Sequence, residues 1–515
     1  MLEFSAVCGK MGHGKPIAAK YGNELKIPMI KKIKELGKDT AVYGISTIVG
    51  RFLGFLLVPF YTHFISPGAM GVYTNIYAYL AFLNIVFIYG MDAAFMKYSS
   101  LAEPEEKKNT FSTAYLTVVL TTLLLTAVLF LLRHPFIRLM EVPSQYTKLV
   151  YYTIFILLFD TLALIPFANL RLERKAKKFA LIKLANILLN LALNLLFFIK
   201  FHMGIEAIFA ANLIASAATF LALLPEIRAR LSFSIQGPLF RRMLSFGLPY
   251  LPASLASIMI QVIDRPIVLA KTNLETLGLY QTGHKLGIFM MLVVSMFQYA
   301  WQPFFLNNAR EKNAKEIFAK VMTLFVLAAS LLWVVVSLFI DIAAGWEFAP
   351  GRSLIEKSFL PGLVVVPVIL LAYLFNGIYV NLWAGLYIQE KTKYFPLVTG
   401  AGALVNVAAN LLLIPRLGIM GAALAILASY VVMSASLFCF TRKIYPIPYE
   451  YGKLARILAI VFLTGAAYYY LLFRGGVDPW QRFALLGAFV AALFALHVVK
   501  KDDLRRLKTL LPGRK

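Results

Sequence analysis

Apolar runs follow one another along almost the whole chain, each close to the ~20 residues that cross a bilayer as a helix. They predict about fourteen transmembrane helices, roughly 40–64, 70–96, 111–132, 148–170, 179–201, 205–227, 244–270, 283–306, 318–343, 360–387, 394–414, 420–440, 454–473 and 483–499. The runs are continuous and do not alternate with a period of two, which argues against a β-barrel. Connections are short, and none is long enough to fold by itself. Residues 1–28 carry scattered glycines and lysines without the apolar core of a signal peptide, and disorder is expected there. Met29 opens a basic amphipathic lead, MIKKIKELGKDTAVYG, into the first span. Met29 is therefore expected as the natural start, with a genuine surface tail as the alternative.

Composition agrees with the pattern. Of 515 residues, 60% are hydrophobic and 15% charged, too little polar surface for a soluble domain of this size. The class is all-α: a polytopic membrane protein. Cys8 and Cys439 stand far apart and imply neither a disulfide framework nor a metal site. A net charge of +26 would suit nucleic acid, but its distribution argues otherwise. Basic residues gather in alternate connections: Lys31, Lys32, Lys34 and Lys38; Lys97, Lys107 and Lys108; Arg171, Arg174, Lys175, Lys177 and Lys178; Arg228, Arg230, Arg241 and Arg242; and onward to the tail. This positive-inside bias places both termini in the cytoplasm, with the basic loops on anionic lipid headgroups. No nucleic-acid partner is expected.

The chain repeats itself internally. KAKKFALIKLANILLNLALNLL from Lys175 returns as KTKYFPLVTGAGALVNVAANLL from Lys391, which aligns Phe179, Asn190 and Asn194 with Phe395, Asn406 and Asn410. More weakly, Pro59 and Gly71-Val72-Tyr73 parallel Pro266 and Gly278-Leu279-Tyr280. Two six-helix halves of equal orientation must be related by a pseudo-two-fold axis along the membrane normal. The expected organisation is a tail at 1–38, an N-lobe at 39–230, a C-lobe at 231–445, and two extra helices with a basic cytoplasmic tail at 446–515. Each Asn pair has i, i+4 spacing, which favours polar contacts between helices over ligand binding.

Polar residues inside spans are costly and point to function. The seventh span carries Gln261, Asp264 and Arg265 on one helical sector, followed by Pro266, which cannot donate to the helix and should kink it. Pro59 is its counterpart hinge. Arg51 is isolated in the first span between Gly50 and Gly54; cavity lining and a structural pair are the two readings. Lys183 and Lys285 either line a cavity or snorkel to the interface. Asp160, Asp264 and Asp92 are candidates for ion coupling. A desolvated carboxylate can carry a proton, and clustered oxygens would equally suit Na⁺. Asp264 beside a cation should stay ionised, which makes Asp160 the better proton carrier. For Asp92 a role at a helix end is favoured.

Three stretches together carry a resemblance: GRFLGFLLVPFYTHFISPGAMGVY at 50–73, FGLPYLPASL with DRPIV at 246–268, and NVAANLLLIPRLGIMGAALA at 406–425. In order, with fourteen spans, they resemble the polysaccharide transporter (oligosaccharide flippase) family of the multidrug/oligosaccharidyl-lipid/polysaccharide exporter superfamily. The resemblance runs from about Met29 to the tail. It implies two lobes around a cavity that opens alternately to either side of a bacterial cytoplasmic membrane. It also implies a polyprenyl-diphosphate-linked oligosaccharide cargo, no cofactor beyond H⁺ or Na⁺ coupling, and glycan polymerase and glycosyltransferase partners. A diphosphate calls for fixed positive charge, so the resemblance makes Arg51, Arg265 and Lys285 the substrate-binding candidates. A drug or metabolite antiporter of the same fold, or a peptidoglycan-precursor flippase, remains open. A membrane glycosyltransferase or polymerase would want a large external loop or a nucleotide-sugar domain with acidic metal ligands. Neither is present, so no catalytic residue is expected.

Overall fold

The computed structural model describes residues 57–103, 105–309 and 311–498. Expectations for the N-terminal tail, for the Met29 start and for Arg51 lie outside these residues. Twelve of the described helices are long and apolar enough to cross a membrane. In chain order, the described helices begin with α1 (57–64). There follow α2 (Pro67–Leu101), α3 (Glu106–Leu131), α4 (Ser144–Leu172), α5 (Ala176–Ile199), α6 (Glu206–Arg230), α7 (Gly237–Val262, continued by Asp264–Lys271) and α8 (Leu274–Asn308). The series continues with α9 (Ala314–Gly345), α10 (Lys357–Ile388), α11 (Tyr394–Leu417), α12 (Ile419–Ile444) and α13 (Tyr451–Gly475), and closes on the shorter α14 (Pro479–Ala495). Twelve expected spans have a membrane-length counterpart, with α2 and α8 reaching well beyond the apolar runs that announced them; of the first expected span only 57–64 is described, and the fourteenth is a shorter apolar helix.

Several helices are interrupted, two of them at positions their prolines dictate. The first part of α4 ends at Leu162, four residues before Pro166. The part of α7 that runs from Tyr250 ends at Val262, four residues before Pro266. A proline has no N–H to give the carbonyl four residues back, and its ring crowds that carbonyl. In α2 the break is left-handed backbone at Tyr89 and Gly90, φ 36° and 76°.

The two Asn pairs adopt the same local geometry. Asn194 Nδ2 donates to Asn190 O and Oδ1 at 2.8 and 2.9 Å. Asn410 Nδ2 does the same to Asn406 at 2.8 and 3.0 Å. These bonds run along one helix. Of the four, only Asn194 has a bond to another helix among the described residues, accepting from Tyr61 Oη at 3.1 Å. The expected glue between helices is thus mostly glue within them.

The lobes meet along α2, α7 and α8. Near the turns that begin α2 and α8 the contact is backbone on backbone. A Cβ on Gly71 would lie 1.9 Å from Leu274 O, and one on Gly278 would lie 1.8 Å from Pro67 O. Toward the other end of the seam, a Cβ on Gly90 would lie 2.3 Å from Gly247 O. The extra helices pack on the outside of the C-lobe. Tyr469 of α13 donates to Val364 O at 2.7 Å, and Arg482 of α14 grips Asp341 of α9 with two bonds of 2.5 and 2.7 Å.

Candidate functional site: polar groups within and between the lobes

A cavity of about 440 Å³ opens among α2, α4, α5 and α6. Asp160 of α4 lies in its wall with Arg171 and Lys183, and Asn84, Asn186, Asn212, Ser216 and Thr219 add neutral polar groups. Asn186 is fixed by Nδ2 bonds to Ala215 O at 3.0 Å and Thr219 Oγ1 at 2.9 Å. An apolar helix bundle has no packing use for so many hydrogen-bonding groups around one void, and intramembrane groups of this kind mark ion or substrate paths.

The cavity is joined to the seam by a chain of tyrosines. Asn212 Nδ2 donates to Tyr77 Oη at 2.8 Å, and the rings of Tyr77 and Tyr73 sit 4.7 Å apart. Lys285 of α8 reaches across from the other lobe. Its Nζ is 3.4 Å from Tyr73 Oη and lies over the faces of Tyr73 and Tyr61, 4.9 and 5.7 Å from their centroids. Aromatic faces attract a cation, so Lys285 is held by the N-lobe and does not snorkel away. Tyr61 in turn binds Asn194.

One residue before Lys285 a second cluster begins. Asp264 is 1% exposed and Arg265 7%. Arg265 Nη1 donates to Asp264 Oδ1 at 2.7 Å, and its Nη2 lies 3.4 Å from His284 Nδ1. Tyr280 Oη donates to Asp264 Oδ2, and Arg265 also reaches the carbonyl of Gln261. His284 Nε2 has no partner among the described residues.

The candidates thus separate into groups. Asp160 lines the cavity and Lys285 holds the seam. Asp264 and Arg265 are brought together, but the guanidinium turns into the C-lobe against its own carboxylate, where the cleft-facing contact would have left it unpaired. A buried cation takes the nearest counter-charge because an uncompensated one is far more costly. Gln261 departs from the shared sector. It is exposed, with a long 3.5 Å bond to Ser257 O, whereas Asp264 and Arg265 are buried. Asp92 sits in the first turn of the segment that restarts at Met91, where a carboxylate favours the positive end of the helix dipole. The basic loops are also less free than their charge suggested. Lys175 and Lys178 bind the buried Glu226 at 3.1 and 2.8 Å, and Arg230 joins at 3.2 Å. Glu173 beside Lys175 raises the pKa of that lysine.

Tyr73, Tyr77, Asn212 and Tyr280 were not foreseen as site residues. A signal for two of them existed. Tyr73 and Tyr280 are repeat equivalents, and each bonds a charged partner, Lys285 and Asp264.

Residues 36–309 match the family described as polysaccharide biosynthesis protein. The match spans more than half of the chain, and the chain belongs to that family. No curated protein matches it in sequence. Among solved structures, lipid II flippase MurJ in an inward closed conformation is similar at 17% identity, TM-score 0.68, covering 90% of this chain and 99% of that one. An inward-facing multidrug resistance MATE family transporter of the MOP superfamily is similar at 13% identity, TM-score 0.63, covering 76% and 94%. The Vibrio cholerae MATE transporter VcmN is similar at 14%, TM-score 0.56, covering 80% and 97%. At these identities the likeness defines the fold: the two-lobe architecture of multi-pass flippases and transporters.

Proposed function

We propose that this protein flips polyprenyl-diphosphate-linked oligosaccharide repeat units from the cytoplasmic to the periplasmic leaflet by alternating access, supplying cell-surface polysaccharide synthesis. The observation that carries the reading is the seam cation, Lys285, held between the lobes by tyrosines of the opposite lobe and continuous with a polar cavity. A diphosphate is a stronger partner for an ammonium than a tyrosine face, so arriving cargo would draw Lys285 away and unfasten the lobes. Asp160 is the proposed coupling acid for H⁺ or Na⁺. The protein would sit in the cytoplasmic membrane with both termini in the cytoplasm, near glycan polymerase and glycosyltransferases.

The test is a reconstituted flipping assay. Proteoliposomes receive a polyprenyl-diphosphate oligosaccharide with a fluorescent sugar, and an impermeant quencher reports the exposed leaflet. Wild-type protein should move the label, Lys285→Ala should slow it at least tenfold, and Lys285→Arg should keep part of the rate. A wild type that leaves this cargo in place but drives ethidium efflux would establish the antiporter reading, which the fold shared with multidrug transporters keeps in view. A preference for a peptidoglycan precursor over the oligosaccharide lipid would shift the cargo within the same chemistry.

A further inference from the structure

A second constellation lies where α1 finishes and the connection from α9 to α10 folds back over it. That connection is a short hairpin, Glu347–Ala349 against Arg352–Ser353. It is fastened across the lobes: the Nε2–H of His63 donates to Ser353 O at 2.8 Å, and the N–H of Glu356 donates to Thr62 Oγ1 at 3.3 Å. Beneath the strap is a hollow of about 290 Å³ lined by Phe60, His63 and Phe64 of α1 and by Phe348 and Arg352 of the hairpin. Its size lies just below the ~300–1,000 Å³ usual for ligand sites, enough for a single ring.

Three features choose the occupant. Two of the rings keep an open face: Phe348 is 55% exposed and Phe64 40%, while Phe60 packs on Phe198 behind them. The Arg352 guanidinium has no hydrogen bond or ion pair among the described residues. The nearby carboxylates are engaged elsewhere, Glu347 with Lys357 at 2.8 Å and Glu356 with the N–H of Ser358 at 2.8 Å. Aromatic residues of an interfacial belt face lipid around the rim of a bundle; here three rings, a histidine and a free arginine converge on one concavity. Aromatic faces stack on the C–H face of a pyranose, and a free guanidinium forks onto a carboxylate. We propose that this hollow is an acidic-sugar subsite, which takes one uronic acid residue of the cargo at the exit side of the seam. Because α1 packs on the N-lobe, through Tyr61 to Asn194, and the hairpin belongs to the C-lobe, a bound sugar ties the two lobes together. The assignment rests on the proposed cargo being a glycan.

Saturation-transfer NMR on the purified full-length protein tests it, with D-glucuronate and D-glucose as probes. Glucuronate should bind and glucose should bind at least tenfold more weakly. Arg352→Gln should weaken glucuronate about tenfold, the loss of one charge-assisted contact, and leave glucose unchanged. Phe348→Ala should weaken both. Equal binding of the two sugars, or glucuronate binding untouched in Arg352→Gln, overturns the subsite. A wild type that flips oligosaccharide lipid yet shows no glucuronate signal overturns the subsite alone. Binding without flipping leaves the subsite standing and overturns the proposed function.

Discussion

At the scale of single residues, the decisive pair is Asp264 and Arg265. Charge inside an apolar span signals a site, but the signal does not say whether the charge faces cargo or its own neighbour. Here Asp264 accepts from both Arg265 and Tyr280, so the guanidinium is satisfied before any ligand arrives. Asp264→Ala should therefore cost about 3–5 kcal/mol, the usual penalty for stranding a buried partner. The Asp264→Ala, Arg265→Ala double variant should recover part of that loss, since no lone charge remains. Thermal unfolding in detergent measures both. Strictly additive losses would mean that the pair is uncoupled and would return Arg265 to the list of cargo contacts.

At the scale of elements, helices were readable because a bilayer enforces length and apolarity, and the break in α7 was readable from Pro266; the break before Pro166 in α4 was not, since Pro225, Pro303 and Pro415 lie inside helices that run on. What packs against what was not readable. Gly71 and Gly278 stood out as repeat partners, but that each faces a carbonyl of the opposite lobe depends on the docking of α2 on α8. The buried Glu226 likewise turned a run of loop lysines into ion-pair partners, a consequence of tertiary proximity that spacing does not encode. The glycine contacts make a strong claim. Alanine is the better helix former by about 1 kcal/mol, so Gly278→Ala would stabilise an isolated helix. In the protein its Cβ would collide with Pro67 O, and a net loss of about 1–3 kcal/mol is expected. Gly68, in the same first turn as Pro67 but with open space around its Cβ position, should accept alanine at little cost. Equal melting temperatures for Gly278→Ala and Gly68→Ala would show that the close approach is not maintained.

At the scale of the whole molecule, the seam is closed at two levels, by Gly71 and Gly278 at one end and by Gly90 and Gly247 toward the other. Between them lies Lys285 on its tyrosines. Packed interfaces are bistable and do not deform continuously, so a side chain wedged into either contact should tip the lobes instead of bending them. Gly90→Ala is doubly unfavourable there, since φ is 76° and the added Cβ would lie 2.3 Å from Gly247 O. It should part the lobes at the end with the basic loops. Gly278→Ala should part them at the opposite end. Spin labels can report this after Cys439, which is free and exposed, and Cys8 have been replaced. Leu181 and Leu397 are exposed near the starts of α5 and α11, and Ile199 and Leu417 are exposed at their ends. Double electron–electron resonance on each pair should show the distance between labels at 181 and 397 lengthening in Gly90→Ala and that between labels at 199 and 417 lengthening in Gly278→Ala. If both variants lengthened the same pair, or neither changed either pair, the two glycine contacts would not be the opposed closures of one rocking seam.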